Sequence, residues 1–85
     1  MAGKRKQRLD IVYPHCAGID VGSQQHWVAV HPDAAKESVR RFGGFSDDLQ
    51  TLADWLSGLG VRQVAMEATG VYWIPVYELL ESRGL

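Results

Sequence analysis

The sequence predicts an α/β fold in which a mixed sheet is built in the order β-β-β-α-β-α. Three observations carry this. Period-two alternation on either side of a glycine-bearing turn marks a hairpin between Cys16 and Val30. Leucines at three- and four-residue spacing mark a helix after Ser46. An apolar run from Val61 to Met66 then follows that helix, so a helix joins two strands, the crossover that sets the first and fourth strands parallel.

In the first strand, Cys16, Gly18, Asp20 and Gly22 share one face, while Ala17, Ile19 and Val21 form an apolar strip on the other. A carboxylate in so apolar a strand has two readings. Asp20 either caps the turn before Gly22 or is kept for a cation, since a buried unpaired carboxylate costs several kcal/mol. The return strand runs to Val30, and His31-Pro32-Asp33 reads as a turn. Glu37 to Phe42 alternates weakly and gives a third strand, ended by Gly43-Gly44.

Ser46 with Asp47 and Asp48 is a helix start: the hydroxyl can accept an orphan N–H, and acids favour the positive end of the helix. Leu49, Leu52, Ala53, Leu56 and Leu59 form its apolar stripe, Trp55 lies at the stripe's edge, and Gly58 and Gly60 supply the stop. The fourth strand, Val61 to Met66, ends at Glu67. A second amphipathic helix spans Val71 to Arg83, with Tyr72, Val76, Leu79 and Leu80 on its apolar face and Gly84 after it. Pro75 places its start either near Val71 with a bend or nearer Trp73.

If the first and fourth strands are neighbours, Asp20 and Glu67 lie together near their carboxyl ends, where open α/β sheets hold ligands. Hard oxygen donors at such a point suit Mg²⁺ or Mn²⁺. The alternative for Glu67 is a helix-start acid beside Thr69.

The chain's 85 residues make one domain with a thin core, burying roughly 60% of the surface its unfolded form exposes. No apolar run approaches the roughly 20 residues that span a bilayer, so no membrane association is expected. A basic start without an apolar segment behind it is not a secretion signal, and the single cysteine, Cys16, cannot form an internal disulfide, which points to the cytoplasm. The net charge of −1 hides a basic stretch, Lys4, Arg5, Lys6 and Arg8, ahead of an acidic body. Residues 1–14 read as a flexible arm that either contacts nucleic-acid phosphates or simply solubilises the chain, and residues 15–85 as the ordered part.

His15, His26 and His31 do not make a zinc site, because His26 and His31 would face opposite ways along one strand. Cys16 reads as a small buried residue. Tyr72 and Trp73 are candidates for stacking on bases, with core packing the better reading for at least one. Thr69 and Gly70 either offer helix amides to a phosphate or act as an ordinary cap.

Gly18-Ile-Asp20-Val and His26-Trp-Val-Ala-Val30, followed by Met66-Glu67-Ala-Thr69-Gly70-Val-Tyr72-Trp73-Ile-Pro75-Val-Tyr77-Glu-Leu-Leu, resemble the N-terminal domain of the DEDD insertion-sequence transposases of the insertion-sequence 110 group. The resemblance runs from Cys16 to Leu85, and its second block is the specific one. It implies a RuvC-like, ribonuclease-H-type fold in which four acids, Asp, Glu, Asp and Asp, hold divalent metal for cutting and rejoining DNA. Asp20 matches the first and Glu67 the second. The other two, and a later domain with a catalytic serine, lie beyond Leu85 in full-length members, as does a fifth strand beside the fourth. The resemblance therefore implies a front piece inactive alone, with an open sheet edge prone to self-association or to pairing with a full-length protomer. DNA is the expected partner, and some members also use a guide RNA encoded by the element. Two other readings stay open: Gly18-Ile-Asp20-Val-Gly22-Ser23 also resembles the phosphate hairpin of actin-like ATPases and sugar kinases, and the chain could be a non-catalytic transposase remnant that binds nucleic acid.

Overall fold

A computed structural model describes residues 15–68 and 70–85; the basic stretch and Thr69 lie outside them. The elements are β1 (Cys16–Val21), β2 (Gln25–Val30), β3 (Val39–Gly43), α1 (Ser46–Gly58), β4 (Gln63–Ala68) and α2 (Trp73–Ser82). The sheet has the order β3-β2-β1-β4. β1 pairs antiparallel with β2 and parallel with β4, as the crossover through α1 requires.

Alternation in β1 decides which side of the sheet becomes core. Ala17, Ile19 and Val21 are 1–3% exposed and pack with Val28, Val30 and Phe42 of the neighbouring strands. Leu49, Leu52, Ala53 and Leu56 of α1 and Val76 and Leu80 of α2 join the same cluster, so both helices cover this face. Leu59 and Leu79 are only partly buried against it. At the cluster's rim the Arg40 guanidinium lies 4.8 Å from the Phe42 ring and 4.9 Å from that of Trp55, and ion-pairs with Glu37. Arg83 at the end of α2 ties the helices together, donating to Asp54 at 2.8 Å and to Gln50 at 2.7 Å.

Both helices stop in the same way. After α1, Gly60 takes φ +77° while its N–H reaches the Ser57 carbonyl and that of Val61 reaches Leu56. After α2, Gly84 takes φ +82° with the matching bonds to Glu81 and from Leu85 to Leu80. This six-to-one closure needs a left-handed residue, which glycine adopts without a Cβ clash. It corrects two expectations. Gly58 is an ordinary helical residue rather than part of the stop, and Val61 belongs to the closure, so β4 begins at Gln63 and continues through Glu67 to Ala68.

Other boundaries move for equally local reasons. The cap of α1 is not the Ser46 hydroxyl: Ser46 is already helical, and the Asp48 carboxylate reaches back to accept the Phe45 N–H at 3.2 Å. β3 begins at Val39 rather than Glu37. α2 begins at Trp73, which puts Pro75 in the first turn, where its missing N–H costs nothing. Tyr72 therefore precedes the helix and is not on its buried stripe.

Candidate functional site

Asp20 and Glu67 are register partners in the parallel ladder between β1 and β4. Neighbouring strands lie about 4.8 Å apart and register partners present their side chains to the same face, so the two carboxyl groups belong to one spot. That face is opposite the one the helices cover, because Ile19 and Met66, each one residue away, point into the core or pack against it. Asp20 is half-buried in a strand paired on both sides, whereas Glu67 is exposed on an edge strand. One acid is thus carried by an inner strand and the other by an edge strand. Because Glu67 sits inside β4, six residues before α2 begins, it is not a helix-start acid. Asp20 likewise sits within the ladder, opposite Trp27, and the turn itself is closed by Gly22 N–H to the Gln25 carbonyl at 3.0 Å.

The same register extends across the whole sheet. Asp20 opposes Trp27 of β2, and Trp27 opposes Arg41 of β3, so Glu67, Asp20, Trp27 and Arg41 form one transverse row on one face. Trp27 is half-buried and Arg41 exposed. Among the described residues the Arg41 guanidinium meets only the neutral Gln25 amide, at 3.3 Å, unlike its neighbour Arg40, which is engaged on the other face. Sequence alternation alone did not mark Trp27 and Arg41, because the row exists only once the register of three strand pairs is fixed; the usable signal is their phase relative to the buried Val28 and Phe42.

Tyr72 and Trp73 are not brought to this face. They are 50% and 39% exposed, so neither is a core residue. Trp73 packs edge-on against Tyr77 at 5.8 Å and with Met66 and Ala68 lines a shallow groove on the helix side of β4. Tyr72 lines a second hollow with Ser23, His26, Leu49 and Val76. The candidate phosphate contacts Lys4, Arg5, Lys6, Arg8 and Thr69 lie outside the described residues. Cys16 is half-buried rather than buried, its thiol 3.7 Å from the Gln63 side-chain oxygen.

His26 is 3% exposed on the core face, and burial lowers its pKa, since the charged imidazolium would lose its hydration. Its Nδ1 accepts the Gly22 N–H at 3.3 Å, which suits the neutral ring. Among the described residues no group of three or more His, Cys, Asp or Glu side chains is placed to hold a metal, so the acid pair stands as two donors. No described helix is long and apolar enough to cross a membrane.

The family model described as transposase, DEDD_Tnp_IS110, matches residues 17–85. No curated protein matches the chain.

Proposed function

The chain belongs to the DEDD transposases of the insertion-sequence 110 family, and from that membership we propose that it is the front of a DNA-cutting and DNA-joining domain in which Asp20 and Glu67 are two of the metal-holding acids. The observation that carries this reading is the register: two acids 47 positions apart in sequence become partners in adjacent parallel strands, at the carboxyl ends where such sheets bind ligands. The donor set fits a hard divalent cation, since carboxylate oxygens are what Mg²⁺ and Mn²⁺ prefer. Such an ion, when bound, stabilises charge on the oxygens of a phosphodiester undergoing displacement. The chain's own contribution is to present Asp20 from an inner strand and Glu67 from the edge strand beside it, on one face of the sheet.

The parallel β1–β4 pair with two antiparallel strands beside it supports a RuvC-like, ribonuclease-H-type arrangement. β4 has no strand on its outer side among the described residues, where that arrangement would add a fifth. The working partners under this reading are DNA, contacted in part by the basic stretch at residues 4–8, and a second or full-length protomer.

Thermal unfolding with and without divalent cation tests the proposal. An ion that binds only the folded chain stabilises it by RT ln(1 + [L]/Kd), so 20 mM Mg²⁺ or Mn²⁺ is expected to raise Tm in the parent chain. The rise is expected to vanish in the Asp20→Asn/Glu67→Gln variant. An equal rise in both would place the ion elsewhere and overturn the assignment.

A further inference from the structure

The row Glu67–Asp20–Trp27–Arg41 crosses all four strands at right angles to them, and only its first two members enter the metal reading above. Resting on that reading, we propose that Trp27 and Arg41 continue the site as a track for the DNA strand being cut: Trp27 stacks on a base or sugar next to the acids, and Arg41 holds the neighbouring phosphate.

Spacing, chemistry and contrast support this assignment. Arg41 is two strand spacings from Asp20, about 10 Å along the row, and a guanidinium on its long stem reaches back over the intervening strand toward a phosphate lying above Trp27. The order along the row, two acids, then a flat aromatic, then a permanent cation, matches what a single strand presents in sequence: a phosphate to be cut, a base with its sugar, and the next phosphate. An aromatic face accepts any base, and a guanidinium binds phosphate oxygens in pairs, so the track reads backbone rather than sequence. Four neighbours on the same face are small or uncharged: Gly18 and Ala65 in the next row, with Ala29 beside them, and Gln25 next to Arg41. No described acid other than Asp20 and Glu67 sits in the ladder positions of this face.

The contrast is with the adjacent arginine. Arg40 lies against two aromatic rings and ion-pairs with Glu37, which is a sufficient structural role. Arg41 has a single 3.3 Å bond to a neutral amide among the described residues and remains exposed. A structural account of the fold does not require its charge.

The test is an NMR titration of the ¹⁵N-labelled 85-residue chain with a mixed-sequence twelve-nucleotide single-stranded DNA, in EDTA so that no metal takes part. The indole N–H of Trp27 and the amides of Asp20, Ala29 and Arg41 are expected to shift together, while the indole of Trp55, behind the sheet, stays in place. Arg41→Gln is expected to weaken binding at least about five-fold and to lower the slope of log Kd against log salt by about 0.7, one phosphate contact on a single strand. Trp27→Leu is expected to weaken binding by a similar factor with the slope unchanged. Arg40→Gln, checked for folding by its spectrum, is expected to leave the affinity as it was. Binding by the parent chain with unchanged affinities in both row variants would overturn the track and leave the transposase reading intact. Shifts confined to residues 71–77 would do the same. Absence of any shift at millimolar DNA would overturn both the track and DNA contact by this part of the chain, whereas the metal assignment is judged separately by the cation-dependent melting. Preference for RNA of the same sequence would overturn the assignment to the cut DNA strand.

Discussion

Lowering the pH should weaken the fold through His26, and replacing that residue should remove this part of the sensitivity. His26 is buried against the core with its Nδ1 accepting a backbone N–H, and burial holds its pKa below the ordinary 6.5. The unfolded chain therefore binds a proton on this ring at a higher pH than the folded chain does. Stability from keeping the ring neutral is full above about pH 6.5 and is lost as pH falls from there through the depressed folded value. Within that window the loss approaches one proton's worth, about 1.4 kcal/mol per pH unit. A domain of this length is stable by roughly 4–13 kcal/mol in total, so each pH unit that the window spans would remove at most a tenth to a third of it. In a domain of this size about 1.4 kcal/mol corresponds to a Tm change of roughly 5–11 °C, the ceiling for each pH unit inside the window. His26→Phe keeps a ring in the space but cannot titrate, and the Gly22 N–H keeps its 3.0 Å bond to the Gln25 carbonyl. Urea unfolding of both proteins at pH 7.5, 6.5 and 5.5, followed by circular dichroism, separates this effect from the carboxylates, which are common to the two. The variant is expected to gain on the parent steadily as pH falls. A stability difference that is the same at all three pH values would refute the reasoning.

Three further outcomes follow from the packing. Leu52→Ala, at a side chain 1% exposed between α1 and the sheet, is expected to cost about 3 kcal/mol by chemical denaturation. Gly60→Ala, at φ +77° with open space around the position, is expected to cost about 1 kcal/mol from backbone strain alone, and the same substitution at the helical Gly58, which also faces open space, to be neutral or slightly stabilising. The outer edge of β4, together with exposed Trp73 and Tyr77 beside it, is expected to drive concentration-dependent association in light scattering, which Ala65→Lys on the edge should reduce; a monomer at all concentrations would contradict that.

The parts of the fold that were legible in the sequence are those fixed by local periodicity. Ala17, Ile19 and Val21 announce their shared face because strand alternation is strict, and Leu49, Leu52, Ala53 and Leu56 do so because helical spacing is. The crossover through α1 then makes β1 and β4 parallel, and with them the pairing of Asp20 with Glu67 becomes a natural expectation. Capping and closure chemistry was harder to read. Ser46 already lies inside α1 while Asp48 supplies the capping contact to Phe45, and Val61 is drawn into the end of α1 instead of opening β4. Tyr72 and Trp73 look like core residues by type, yet they fall where the chain turns into α2 and stay exposed. The row through Trp27 and Arg41 depends on the register of three strand pairs, which turn geometry sets and single-strand patterns do not contain.

The pairing of Asp20 with Glu67 as a metal site is tested most directly by titrating Mn²⁺ into the ¹⁵N-labelled chain and following which amides broaden first. Signals from residues 18–21 and 65–68 are expected to be lost first, and that loss to be abolished by Asp20→Asn and by Glu67→Gln separately, since the two carboxylates act on one ion. Broadening that starts instead at Asp47 and Asp48 in α1 or around Asp33, or that survives either substitution, would contradict it.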